Sequence, residues 1–229
     1  MGGKSNQIVV VVPVYNEGKR AVLTIEEILS VLKKEKVVVV DDGSDKKSYS
    51  FLEKGFKNNK RTVLLKHMIN LGKGAAMKTG AEWAFGNGAK GVIFIDSDGQ
   101  HSPKYLPGFK RLLKKSGVVF GYRQLNGKMP FVRKWGNKIA LNLVGKLFGI
   151  KRRDLLCGFM AMRKDIYKKL WWESNRYGVE TEIATRVAKN KISFSELKID
   201  TIYIDKYKGV TVIDALKILL NIPLWYLQK

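Results

Sequence analysis

The sequence predicts an α/β fold, with a Rossmann-like, mostly parallel central sheet flanked by helices. Two patterns carry this reading. Short apolar runs rich in β-branched residues (Ile8–Val12, Val37–Val40, Thr62–Leu65 and Val92–Ile95) alternate with stretches of helical spacing. Several of these runs end abruptly in polar, mostly acidic residues. Strands of an open parallel sheet deliver their loops to one edge, where ligands bind. The 229 residues, 45% of them hydrophobic, suffice for one substantial domain with a buried core.

In chain order, Ile8–Val12 leads into the loop Pro13-Val14-Tyr15-Asn16-Glu17-Gly18. From Lys19 to about Lys34, Val22, Ile25, Ile28, Leu29 and Leu32 line one helical face. Val37–Val40 ends in Asp41-Asp42-Gly43-Ser44-Asp45, and a helix is expected from about Ser48 to Lys57. This acidic loop suits an Asx-type helix cap as well as a binding site. After Thr62–Leu65 comes Asn70-Leu71-Gly72-Lys73-Gly74-Ala75-Ala76, opening a helix that runs through Ala84. It is not a Walker loop, but it would place a lysine and free N–H groups near phosphates at a helix start.

The stretch Gly91-Val92-Ile93-Phe94-Ile95-Asp96-Ser97-Asp98-Gly99-Gln100-His101 organises the chain. Two carboxylates so close repel each other unless a cation or a proton lies between them. Hard oxygen ligands on a sharp turn suit Mg²⁺ or Mn²⁺ sharing its shell with substrate phosphates. Asp-Ser-Asp-Gly would serve equally as a strand-ending turn, and the stretch alone leaves both readings open.

Further on, Val118–Tyr122 reads as a strand delivering Arg123 to the sheet edge, Phe159–Arg163 as a core strand and Ile199–Ile204 as the last strand. Met129–Ile150 is an amphipathic helix carrying Arg133 and Lys134, suited to a membrane interface or to docking on the sheet. Tyr177–Asn190 reads as a helix whose Glu180 and Glu182 are surface charges. Val212–Leu227 is strongly apolar but too short and interrupted for a membrane span. It is expected to lie on a membrane surface or a partner, with Trp225 and Tyr226 at headgroup level, or else to pack on the core. The chain divides into a main domain, 1–205, and this C-terminal element, 206–229.

Forty-three Lys and Arg against twenty Asp and Glu give a net charge of +23. Such a surface attracts polyanions: nucleic acid, anionic lipid or phosphorylated substrates. Aromatic residues interleaved with a basic groove are not evident, and the acidic loops would repel a nucleic-acid backbone, so nucleic acid is not expected as a partner. Cys157, the one cysteine, excludes an intrachain disulfide framework and fits a reducing compartment. The polar start Met1-Gly2-Gly3-Lys4 predicts no signal peptide.

Taken together, these motifs resemble a family 2 glycosyltransferase with the GT-A fold, and more narrowly the dolichol-phosphate mannose synthases and related polyprenyl-phosphate glycosyltransferases. The matching pieces run in the family's order from about residue 8 to 163: Pro13-Val14-Tyr15-Asn16-Glu17, Asp41-Asp42-Gly43-Ser44, Asn70 to Ala76, Asp96 to His101, Gly121-Tyr122-Arg123 and Cys157-Gly158-Phe159. The resemblance implies that Pro13, Tyr15, Glu17 and Asp42 hold the base and ribose of a GDP- or UDP-sugar, with Lys73, Asp96, Asp98, Arg123 and Lys206 also on the donor. Asp96, Asp98 and Gln100 would hold Mg²⁺ or Mn²⁺. Arg133, with Lys134, would receive the phosphate of a dolichyl or polyprenyl acceptor; Asp98, Arg123 and Arg133 would be the catalytic set. Asp154 and Gly158 match the family's Asp-x-x-Ser-Gly-Phe segment, with Cys157 in the serine's place. The family's closing Arg-x-x-Gly-x-Ser-Lys segment is only echoed by Lys206 to Thr211, where Lys keeps the charge without a bidentate fork.

The expected reaction is inverting transfer of a sugar, mannose or glucose foremost, to the lipid phosphate. A phosphate dianion needs no general base, only cationic positioning. The alternative is a sugar-hydroxyl acceptor in polysaccharide or glycolipid synthesis, with Glu180 or Glu182 as the required base. The expected location is peripheral, at the cytoplasmic face of an anionic membrane, with a membrane-protein partner possible.

Overall fold

The computed structural model of the protein describes residues 8–123, 131–176, 178–200 and 212–227, with side chains given throughout except at 131–134 and 212–215. Among the described residues seven strands form one sheet: β1 (Ile8–Val14), β2 (Lys36–Asp41), β3 (Thr62–Lys66), β4 (Gly91–Phe94), β5 (Val118–Arg123), β6 (Met160–Arg163) and β7 (Phe194–Ile199). Their spatial order is β3-β2-β1-β4-β6-β5-β7. β6 pairs antiparallel with both β4 and β5, and every other pairing is parallel.

Valines in unbroken series need both faces of the sheet covered, and two cores cover them. Val10, Val12, Val37 and Val39 pack under α1 (Lys19–Val31), α2 (Lys46–Phe56) and α4 (Leu106–Leu113) through Ile25, Ile28, Leu52, Leu106 and Phe109. On the opposite face, Val9, Val11, Val38 and Val40 meet α3 (Lys73–Gly86), α5 (Phe131–Phe148), α7 (Val179–Lys189) and α8 (Val212–Leu227) through Met77, Val144, Ile183 and Ile222. The remaining short helix, α6 (Lys164–Tyr167), closes the turn after β6.

The sheet is mostly parallel, as expected, with β6 the exception. Asp154 is held at the end of β5, so the chain reaches β6 from the carboxyl edge and must run back across the sheet. Among the described residues the last strand is Phe194–Ile199, whose Ser195, Glu196 and Lys198 suit a half-buried edge strand; most of the expected Ile199–Ile204 strand lies outside the described residues. Residues 201–211, including Lys206 and the segment that follows it, lie outside the described residues. The helix α2 begins at Lys46 because Asp45 caps it, accepting from the Ser48 amide at 2.7 Å.

The helix α8 packs on the core by one face and leaves the other exposed. Ile218, Ile222 and Trp225 are buried in the core beside α5 and α7, so Trp225 is not at a headgroup level. Leu216, Leu220, Leu224, Tyr226 and Leu227 are exposed. Among the described residues no helix is long and apolar enough to cross a membrane.

Candidate active site at the carboxyl edge of the sheet

Loops after β1, β2 and β4, the starts of α3 and α7, and the end of β5 enclose a cleft of about 570 Å³. Pro13, Tyr15, Glu17, Asp42, Lys73, Asp96, Asp98, Gln100 and Arg123 all line it. Nine residues chosen from separate motifs therefore share one cavity. The side chains of Arg133 and Lys134, in the first turn of α5, and the whole of Lys206 lie outside the described residues.

The first two acidic loops are laced together. Asn16, in the left-handed region at φ 53°, donates its amide to Ser44 Oγ at 2.9 Å and accepts from the Asp45 amide at 2.9 Å. Asp42 is buried and fully engaged: Oδ1 accepts from Leu71 N (3.0 Å) and Oδ2 from Gly72 N (2.7 Å), with His67 Nδ1 2.7 Å from Oδ1. Asp42 thus ties the end of β2 to the turn that opens α3.

That turn differs from the phosphate loop its glycines suggested. The N–H of Gly72 goes to Asp42 and that of Gly74 to Asn175 O at 2.7 Å, so neither is free. The glycines make room for backbone: a Cβ on Gly74 would stand 2.0 Å from Ser174 O, and one on Gly72 2.2 Å from Asn175 O. Lys73 turns into the cleft and bridges Asp96 Oδ1 at 2.5 Å and Glu180 Oε1 at 2.7 Å.

The two aspartates of the organising turn have opposite electrostatics. Burial disfavours the Asp96 anion, but the ammonium of Lys73 overrides it and holds the carboxyl below the usual range. Asp98 lacks such a partner. Burial, reinforced by the Asp96 charge, pushes its carboxyl up to about 6, with only the Gln100 amide donating to Oδ1 at 3.0 Å. His101 is buried, and desolvation holds its imidazole down near 4, hence neutral; Nδ1 has no partner among the described residues.

Across the cleft, Arg123 grips Asp154 with a two-pronged contact, Nε–Oδ2 2.6 Å and Nη2–Oδ1 3.1 Å. Asp154 is wholly buried; desolvation opposes its charge, but the guanidinium holds it below the usual carboxylate range. Asn137 of α5 donates to Asp154 at 3.1 Å and accepts from Leu155 N at 3.1 Å, tying helix to loop. Cys157 is a buried thiol pushed up to about 12 by desolvation and so carries no nucleophile.

Glu180 and Glu182 are not surface charges. Both are buried, Glu182 completely: it accepts from Glu173 N (2.9 Å), Ser174 N (2.8 Å) and Arg186 Nε (2.7 Å). Sequence reading assigned no role to Arg176 and His101, which also line the cleft. His101 closes the organising motif itself, whereas Arg176, two residues before Gly178 at the start of α7, carried only the weak signal of a cation near a helix start.

A mostly parallel open sheet with a cleft at its carboxyl edge, lined by carboxylates and cations, has the architecture of a GT-A glycosyltransferase. The glycosyl transferase family 2 model matches residues 9–171, and the chain belongs to that family. It is 32% identical to an uncharacterised protein of Methanocaldococcus jannaschii, over 95% of this chain and 91% of that one. It is 28% identical, over 92% of each chain, to the UDP-N-acetylglucosamine–dolichyl-phosphate N-acetylglucosaminyltransferase of Methanococcus voltae. Among solved structures, glucosyl-3-phosphoglycerate synthase of Mycobacterium tuberculosis, in complex with Mn²⁺, UDP and phosphoglyceric acid, superposes with a TM-score of 0.75. At 16% identity, covering 98% of this chain and 80% of that one, it shares the fold.

Proposed function

We propose that this enzyme transfers a sugar, with inversion, from a nucleoside-diphosphate sugar to the phosphate of a polyprenyl phosphate at a membrane surface. The observation that carries this is the state of the two late glutamates. A hydroxyl acceptor needs a carboxylate base, yet Glu182 is sealed by two backbone amides and Arg186, and Glu180 is bound to Lys73. A phosphate acceptor needs neither, being largely a dianion at neutral pH. The Methanococcus voltae relative is itself named for a dolichyl-phosphate acceptor.

In this reading Pro13, Tyr15 and Glu17 seat the nucleotide, and Asp42 does so indirectly, by fixing the Leu71–Gly72 backbone. Among the described residues the cleft presents five carboxylates, Glu17, Asp42, Asp96, Asp98 and Glu180, against three cations, Lys73, Arg123 and Arg176. A diphosphate entering alone would be repelled. The donor set suits Mg²⁺ or Mn²⁺: Asp98 supplies an uncompensated carboxylate, Asp96 a second carboxylate and Gln100, which also lines the cleft, a side-chain carbonyl oxygen, and such ions complete their shells with substrate phosphates. The bound ion would supply Lewis-acid stabilisation of the charge developing on the diphosphate.

The acceptor phosphate oxygen bonds to the anomeric carbon as the bond from that carbon to the diphosphate breaks, and the nucleoside diphosphate leaves with the electron pair. Arg123, held rigid by Asp154, presents a fixed guanidinium to this charge. Arg133 and Lys134 belong to the acceptor side in this proposal, and Lys206 to the donor side. The exposed leucines of α8, with Trp135 and Ile139 exposed on α5, suit an anionic membrane surface approached by a chain of +23 charge. We place the reaction at the cytoplasmic face.

The test is transfer on liposomes containing a short polyprenyl phosphate. A panel of GDP- and UDP-sugars is supplied with Mn²⁺ or with chelator. Metal-dependent transfer from one donor is the expected result and names the sugar. Transfer to an added sugar acceptor without lipid product, lost in a Glu180→Gln protein that still folds, would instead support the hydroxyl-acceptor reaction.

A further inference from the structure

The segment between α6 and α7 is pinned to the start of α3 from several sides. Trp172 Nε1 donates to Gly74 O at 3.0 Å, Gly74 N to Asn175 O at 2.7 Å, and Glu182 receives the amides of Glu173 and Ser174. The contact is tight enough that only glycine fits at 72 and 74. A Cβ on Gly72 would also lie 2.8 Å from Cγ of Arg176, so the Arg176 stem rests on this turn at the rim of the cleft.

The three cations that line the cleft among the described residues are not equivalent. Lys73 is shared between Asp96 and Glu180, and Arg123 is engaged by Asp154. Arg176 lines the same cleft, is exposed, and among the described residues makes no ion pair. Its segment also touches the lipid-side helix: a Cβ built on Gly178 would lie 3.3 Å from Ile218 and 3.7 Å from Trp225, on the inner face of α8. Arg176 therefore stands between the donor turn on one side and the helix whose outer face is apolar on the other.

We infer that Arg176 receives the phosphate monoester of the acceptor, as a charge-assisted contact held ready by the lock between residues 172–175 and Gly72–Gly74. This rests on the polyprenyl-phosphate reading above. A guanidinium without a carboxylate partner has its full fork available to phosphate oxygens. An engaged one must share its donors. The rigid segment means that little ordering of backbone remains to be done on binding.

The experiment measures two quantities for the wild type, Arg176→Gln and Arg176→Lys: binding of farnesyl phosphate in the presence of nucleoside diphosphate and Mn²⁺, and the transfer kinetics. A bidentate charged contact is worth about tenfold or more in affinity. The expected result is that Arg176→Gln weakens farnesyl phosphate binding and raises the acceptor KM by at least that factor. The donor KM stays within twofold, and Arg176→Lys recovers part of the loss. Lys57→Gln, which removes one charge at the remote end of α2, is the control for bulk electrostatics. Unchanged farnesyl phosphate binding in Arg176→Gln overturns the assignment. So does a raised donor KM with an unchanged acceptor KM, which gives Arg176 to the diphosphate. If the wild type binds farnesyl phosphate without transferring sugar to it, the proposed reaction falls, while a binding loss in Arg176→Gln still upholds the Arg176 site. If the wild type does not bind it at all, both fall.

Discussion

On the side of the sheet proposed to bind the donor, β1, β2 and β4 run parallel and bring carboxylates to the cleft within a few residues of their last sheet pairing, and the charge there is only partly balanced. Asp98 has a single backbone amide, and Asp41 keeps a buried oxygen without a partner among the described residues. Beyond the antiparallel β6, carboxylates are closed off by cations: Asp154 by Arg123, Glu182 by Arg186 and Glu196 by Arg152. The first arrangement leaves negative charge incompletely balanced, as the proposed cation and diphosphate site requires. The second is a self-neutralised scaffold that holds cations and apolar helices in place. Lys73 joins the two, one bond to each side.

The strongest way to break this contrast is to remove the uncompensated charge. Asp98→Asn keeps shape and hydrogen bonding but removes the anion, and transfer should fall by about 10²–10³ in kcat, the scale of losing one electrostatic stabiliser. Measured with Mn²⁺ varied, the residual rate should lose its metal dependence. A loss below about fivefold would mean that Asp98 does not anchor the cation.

Removing the bridge between the two sides comes next. Lys73→Met leaves Asp96 and Glu180 facing each other without a cation. Breaking a buried pair costs about 3–5 kcal/mol; here the lysine and Asp96 side chains are about a quarter exposed, so about 2–3 kcal/mol is expected. Urea unfolding at pH 7 measures it. The deficit should shrink toward pH 5, as one carboxyl of the uncompensated pair takes up a proton. A pH-independent deficit would mean lost packing instead.

A smaller effect separates the two aspartates themselves. The Asp98 carboxyl, at about 6 when folded, lies above its unfolded value near 3.8. The folded protein then binds the proton more readily, so stability rises as pH falls from about 6 to about 4, and the penalty is fully present above 6. In chelator, Asp98→Asn should be more stable than wild type by about 1–2 kcal/mol at pH 7, with the difference vanishing below pH 4. Asp96, held low by Lys73, works the other way: its contribution is lost as pH falls through the acid range.

Much of this was legible in the sequence, for physical reasons that also mark the limits. Strand, turn and helix signals are local, so β1 to β4 and their loops follow from apolar runs ending in polar, mostly acidic residues, with Lys73, Asp96, Asp98 and Arg123 standing out at that edge. The family resemblance singles out Pro13, Tyr15, Glu17, Asp42 and Gln100. Direction across a sheet is not local, and Met160–Arg163 reads the same parallel or antiparallel. Nor is the partner of a charge. Glu182 looked like a solvated helix residue because its partners, two backbone amides and Arg186, come from a loop and from the next turn of its own helix. Gly72 and Gly74 signalled a phosphate loop, whereas they are needed because the backbone of Ser174 and Asn175 crosses them. The leucines of α8 showed that the helix was apolar without showing which of its faces the core had already taken.

That last ambiguity gives the smallest prediction and the sharpest test of the scaffold side. Leu220 is 64% exposed, with Leu216 and Leu224 four residues to either side on the same helical face, while Ile222 is fully buried. An exposed leucine contributes little to folding, so Leu220→Ser should change stability by no more than about 0.5 kcal/mol. If the outer face enters a membrane interface, the same change removes part of a buried leucine's transfer energy, about 1 kcal/mol, and weakens partitioning to anionic vesicles about fivefold. Raising salt should weaken wild type and variant in parallel, because the charge term is untouched. An unchanged partition coefficient would leave the +23 charge as the whole of the membrane attraction, and α8 as a core helix whose outer leucines contribute nothing there.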